Sequence, residues 1–216
     1  VSFIKRLLPL FGFLTGFPLE TRALDPISPA ALESLRVVEE MEVEKHWLAG
    51  SIVDWRTGEP TGKPVRDSGK HTHCSQFAAA ASERLGVYIL RPPEHSAVLL
   101  ANAQYEWLAG EAGRKEGWLP LGDGAAAQDA ANRGDLVVAV YKNHDPKKSG
   151  HIAIVRPGEK TEADIVREGP DVIQAGGTNR TRTSLKKGFA NHARGFAEIR
   201  FYAHPLSHVK SVAAPR

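Results

Sequence analysis

The chain is nearly devoid of sulfur chemistry: among 216 residues there is one cysteine, Cys74, and one methionine. A single thiol excludes an intrachain disulfide and any multi-cysteine zinc or iron–sulfur site. It leaves Cys74 as either buried filler or a nucleophile. Long apolar runs are also missing. The longest, Leu7 to Leu19, falls short of the ~20 residues a membrane-spanning helix needs and is broken by Pro9, Gly12, Gly16 and Pro18. Charge of one sign is scarce too. The 28 basic and 25 acidic residues leave a net +3, with no dense run of Lys and Arg. That argues against a nucleic-acid groove and is compatible with anionic cell-wall polymers. No internal repeat or low-complexity tract marks a solenoid.

What remains is ordinary globular composition, 42% hydrophobic and 25% charged, in a chain long enough to bury a core without metal or disulfide staples. Residues 1–23 read as an export signal: Lys5 and Arg6, the apolar stretch, then Thr21-Arg22-Ala23 with small residues at the cleavage positions. An N-terminal amphipathic or core helix is the alternative. Export to the periplasm, envelope or exterior follows from the first reading, with no membrane-spanning segment in the mature chain. A free thiol in an exported protein is then more telling, because such proteins tend to pair their cysteines.

Residues 24–69 read as a helix and a loop. Ser28-Pro29 resembles an N-cap followed by proline at the first helical position, and Leu32, Leu35, Val38, Met41 and Trp47 continue at helical spacing over Ala30 to Leu48. Gly50 to Lys70, rich in Gly, Pro and Thr, reads as a loop. In residues 70–216 a second helix is expected from Thr72–Cys74 through the alanines 78–81 to Gly86, and a third over Ser96 to Leu108. Gly110 to Ala125 reads as a surface loop. The period then changes. Asp135–Tyr141, Gly150–Arg156, Val172–Ala175 and Ala197–Ala203 read as strands. Helices first and consecutive strands afterwards predict an α+β fold with an antiparallel sheet.

Cys74 falls in the first turn of the second helix, where the helix dipole and unpaired N–H groups favour thiolate. His151 opens a predicted strand straight after a glycine and is the candidate base, since nucleophile and base need only meet in space. A third polar group should orient the imidazole. Gln174, a long amide inside an apolar strand, is one candidate and Asn179 the other. His71 and His73 are spaced to chelate, yet no matching acidic or cysteine cluster accompanies them, so no metal is expected. Gly176-Gly177 lacks a Walker lysine or dinucleotide fingerprint, and no cofactor is expected either. Trp55 and Trp118, in predicted loops, are either substrate platforms or loop anchors.

At these residues the chain resembles a family. His73-Cys-Ser-Gln-Phe-Ala78 is similar to the nucleophile motif of NlpC-type cell-wall cysteine peptidases, Gly134-Asp-Leu-Val-Val138 to their glycine-aspartate strand, and Ser149-Gly-His-Ile-Ala-Ile-Val155 to their histidine strand. Val172-Ile-Gln-Ala175 falls where those enzymes carry a third polar residue. CHAP amidases are close relatives. The sequence departs from the pattern at His73, where aspartate is usual, at Gln76, and at Gln174, where histidine is common. The resemblance implies a papain-like fold, an exported cysteine hydrolase acting on peptidoglycan peptides, and Cys74, His151 and Gln174 as nucleophile, base and orienting residue. His73, Trp55 and Trp118 are then weak candidates for substrate contact. Two rival readings are a catalytically silent wall-binding module on the same fold and a secreted effector amidase, which would be matched by an immunity protein.

Overall fold

A computed structural model of the chain describes residues 23–65, 69–192 and 194–207. Most of the expected export signal, residues 1–22, lies outside the described residues. The elements in chain order are α1 (Pro29–Glu39), α2 (Cys74–Arg84), α3 (Leu100–Ala109), α4 (Glu111–Lys115), β1 (Leu119–Leu121), α5 (Gly124–Arg133), β2 (Leu136–Tyr141), β3 (His151–Val155), α6 (Glu162–Glu168), β4 (Asp171–Gln174), β5 (Arg180–Ser184), α7 (Leu185–Gly188) and β6 (Arg200–His204). The strands form one six-stranded antiparallel sheet in the order β1-β6-β2-β3-β4-β5. The fold is α+β, with the N-terminal helices packed on that sheet. Among the described residues no helix is long and apolar enough to cross a membrane.

An antiparallel strand with one wet face alternates apolar and polar residues. Strand β2 instead reads Leu-Val-Val-Ala-Val-Tyr, all six buried. The reason is that both faces of the sheet are covered. Leu136, Val138 and Val140 join Ile152, Ile154 and the alanines of α2 in one core. Val137, Ala139 and Tyr141 join Ala153, Val155, Phe201 and the inner side of α5 in a second. Ala78 to Ala81 are all fully or almost fully buried, which lets α2 lie close against β3.

Helix α1 begins as its sequence dictates: the Ser28 hydroxyl accepts from the Ala31 N–H at 3.1 Å, with Pro29 at the first position. It ends at Glu39, well before the expected Leu48. The chain turns there, with Glu42 and Trp47 in left-handed conformations. Met41 and Trp47 are buried all the same, because the turn folds back onto the core. The Trp47 indole donates to the Trp55 carbonyl at 3.0 Å.

The region expected to be a loop, Gly110 to Ala125, holds α4 and the edge strand β1 and ends in the first turn of α5. Helix α5 is capped by Asp123, whose carboxylate accepts from Ala126 N–H at 2.8 Å, and is closed by a left-handed Gly134. The third helix starts at Leu100 and not at Ser96, since Leu99 is left-handed.

Candidate active site

Cys74 is the first residue of α2, with His73 at the N-cap. The backbone N–H groups of the first turn have no carbonyl inside the helix to receive them. Two of them, those of Cys74 itself and Ser75, bear on the sulfur, together with the N–H of Ile152 from β3. These donors favour thiolate. Burial opposes them and wins: the side chain is 5% exposed, and its pKa lies above the ordinary thiol value.

His151 is the residue immediately before Ile152, so the thiol rests against the backbone N–H that follows the candidate base. Gly150 makes this strand start feasible. A Cβ there would sit 2.1 Å from the Tyr141 carbonyl oxygen and 2.6 Å from the Asn102 amide oxygen. Only glycine lets β2 and β3 close at this point. The register pairs Ile154 with Ile173 and Val155 with Val172. Continued, it brings Gln174 beside Ala153, on the same face as His151 and within diagonal reach. The two side chains meet there: His151 Nε2 and Gln174 Oε1 are 3.0 Å apart, both buried.

The orientation of that amide is set by its other end, since Gln174 Nε2 donates to the Thr178 carbonyl at 3.2 Å. Gln174 therefore presents its oxygen, and the network assigns the proton of the imidazole to Nε2. Nδ1 is left as the acceptor, which is the arrangement a general base requires. Space for the amide comes from Gly188, where a Cβ would approach Gln174 Oε1 to 2.7 Å.

The ring of His151 is 1% exposed. Phe189 meets it edge-on with centroids 4.7 Å apart, and His192 lies flat on it at 4.5 Å with 7° between planes. Burial pushes the His151 pKa down to about 4, partly offset by the Gln174 hydrogen bond. Thiol and imidazole are thus both neutral near pH 7, and no hydrogen bond joins them. The thiol comes from the α2 side of the sheet and the imidazole from the α7 side. Their sequence neighbours Ser75 and Gln76 of α2 and Ser149, with Gly177 and His192, line a cleft of about 740 Å³; the thiol and the imidazole themselves lie buried beneath it.

Asn179, the alternative orienting residue, is occupied elsewhere. Its oxygen accepts from Gly176 N–H at 2.9 Å, and its amide donates to the carbonyls of Val43 and His46 at 2.7 and 2.8 Å. It ties the turn after β4 to the turn after α1 and leaves His151 to Gln174.

His73 lies at the cleft margin but is held from both sides, with Nδ1 2.8 Å from Gln76 Oε1 and Nε2 2.9 Å from the Ser51 carbonyl. Its burial lowers its pKa. It fixes the loop before α2 to the helix. Trp55 and Trp118 do not line the cleft. Trp55 packs under the guanidinium groups of Arg56 and Arg91. Trp118 is fully buried, with its indole donating to the Tyr88 carbonyl at 2.8 Å. Both are buried anchors of the fold. Its apolar wall comes instead from Ile52, Val98 and Leu99, and its charge from Lys70 and Lys148. Among the described residues no three metal-ligating side chains cluster.

Sequence reasoning missed His192, which has no motif around it, and the Val98–Leu99 rim, which falls inside a segment expected to be helical. No family model matches the chain, and no curated protein matches it.

Proposed function

We propose that the protein is a papain-like cysteine hydrolase that cleaves amide or peptide bonds of peptidoglycan stem peptides. The observation that carries this reading is the helix-borne Cys74 lying against the backbone beside His151, whose Nδ1 is left as base by the Gln174 hydrogen bond. The substrate class rests on the resemblance of the Cys74 and His151 segments to NlpC-type enzymes, and the cleft is of a size to receive an extended peptide.

In the reaction, the Cys74 thiol gives its proton to His151 Nδ1 as the sulfur attacks the substrate carbonyl carbon. The first-turn N–H of Cys74 faces the developing oxyanion. The imidazolium, steadied by Gln174, passes the proton to the departing amine as the C–N bond breaks. A water then loses a proton to Nδ1 and attacks the thioester, and the C–S bond breaks to restore the thiol. The mechanism requires Cys74 Sγ and His151 Nδ1, which enter from different sides of the sheet, to come within hydrogen-bond reach in the substrate complex.

The depth of the thiol and its raised pKa favour one other reading, a silent wall-binding module on the same frame. Digestion of purified peptidoglycan separates the two. A hydrolase releases soluble peptides with new amino groups, and Cys74→Ala and His151→Ala each abolish release while the fold is retained. If the wild type releases nothing, binds wall fragments, and is alkylated by iodoacetamide at a rate indifferent to His151→Ala, the module reading replaces the enzyme.

A further inference from the structure

The turn that follows α7 does more than end a helix. Phe189 is anchored by its N–H to the Leu185 carbonyl at 2.9 Å, and the His192 N–H closes back onto the Phe189 carbonyl at 2.9 Å. One short turn thereby delivers two rings to His151, an edge from Phe189 and a full face from His192. Of the two, Phe189 is buried, whereas His192 is half-buried and lines the cleft. The face of the base nearest the cleft is therefore covered by another imidazole.

We infer that His192 is a positioning residue of this site: its ring, held flat on His151, fixes the plane of the base and walls the His151–Gln174 hydrogen bond off from cleft water. The inference rests on the hydrolase reading only for what His151 does, since the shielding is a property of the stack itself. Two consequences follow from the geometry. The proton on His151 Nε2, bonded to Gln174 and roofed by His192, has no short path to solvent. The stack also tolerates little charge. Burial, the neighbouring His151 and the Lys70 ammonium ahead of α2 hold His192 down to about 4, and burial does the same to His151. A parallel pair at this separation is kept neutral until a proton arrives from Cys74.

The test uses the full chain with labelled histidine, observed by nuclear magnetic resonance, in the wild type, His192→Ala and His192→Phe. Gln174→Ala identifies the His151 Nε2–H signal by its loss or displacement. In the wild type that proton is visible and slow to exchange, and His151 titrates near 4. His192→Ala is expected to lose the signal to exchange and to move the His151 titration upward, toward the ordinary ~6.5. His192→Phe keeps a flat ring in place and is expected to restore both. A His192→Ala protein with the wild-type signal and titration overturns the proposal. So does a His192→Phe protein that behaves like His192→Ala, since then the covering ring is not what matters. Absence of peptidoglycan cleavage by the wild type defeats the hydrolase reading alone, and leaves the resonance result to decide the shielding.

Discussion

The burial of His151 has a thermodynamic cost that acid should reveal. Its pKa is about 4 in the folded protein and ~6.5 in an unfolded chain. Above pH 6.5 the ring is neutral in both states and contributes no pH dependence. Between 6.5 and 4 the unfolded chain takes up a proton that the folded protein refuses, so stability falls as pH falls through this window. Below 4 both states are protonated and the loss levels off. The sign follows because the unfolded state binds more protons throughout the window. A gap of this size is worth about 3 kcal/mol in full, and about 2 kcal/mol of it is gone by pH 5. Urea unfolding at pH 7 and pH 5, in the wild type and in His151→Gln, isolates the effect. The two proteins share every other titrating group except the part of the His192 shift that His151 itself causes. The wild type should lose about 2 kcal/mol more than the variant over this interval, seen as a larger fall in the urea midpoint at constant slope. Equal losses in the two proteins would refute the assignment of His151 as a desolvated neutral base.

Two further outcomes follow from other parts of the frame. Gly150→Ala places a methyl inside contact distance of the Tyr141 carbonyl and the Asn102 amide, and should cost about 3 kcal/mol or more, read as a drop in thermal midpoint, because backbone must move. Trp118→Phe removes the donor to the Tyr88 carbonyl and leaves a small void; stability should fall by about 1–3 kcal/mol in urea unfolding with peptide release unchanged, and a selective loss of release would restore Trp118 to the substrate site.

The parts of this fold legible in the sequence are those whose local signal and tertiary environment agree. Strands β2 and β3 are apolar and β-branched and lie at the centre of the sheet. Helix α2 has alanines on every side and is buried on nearly every side. Where the two disagree, sequence reading fails for definite reasons. Met41 and Trp47 keep helical spacing from Val38, but a left-handed Glu42 breaks the helix and the same residues reach the core through a turn. Strand β5 reads Arg-Thr-Arg-Thr-Ser, polar because it is an edge, and carries no apolar alternation to find. Helix α5 is built from small residues after Gly-Asp-Gly, with no large apolar stripe, although Asp123 and Gly134 cap it at each end. At the site, Gln174 stands out as an amide in an apolar strand. His192 does not, because its role depends on a turn closing over a ring 41 positions earlier in the chain.

The two margins of the sheet carry one more implication. On one side β1 is only three residues long and contains Pro120, which has no N–H to offer a further strand. On the other, β5 carries Arg180 and Arg182 with exposed side chains along its outer row. A second molecule approaching either margin meets a proline, or a β5 whose Thr181 N–H and carbonyl are already bonded to Glu44 and Arg156 and whose Arg182 is paired with Asp171. The most apolar strands, β2 and β3, lie inside and are never offered as templates. Resistance to fibril-like self-association is thus built into the strand order, at the two places where an open sheet is most exposed to it.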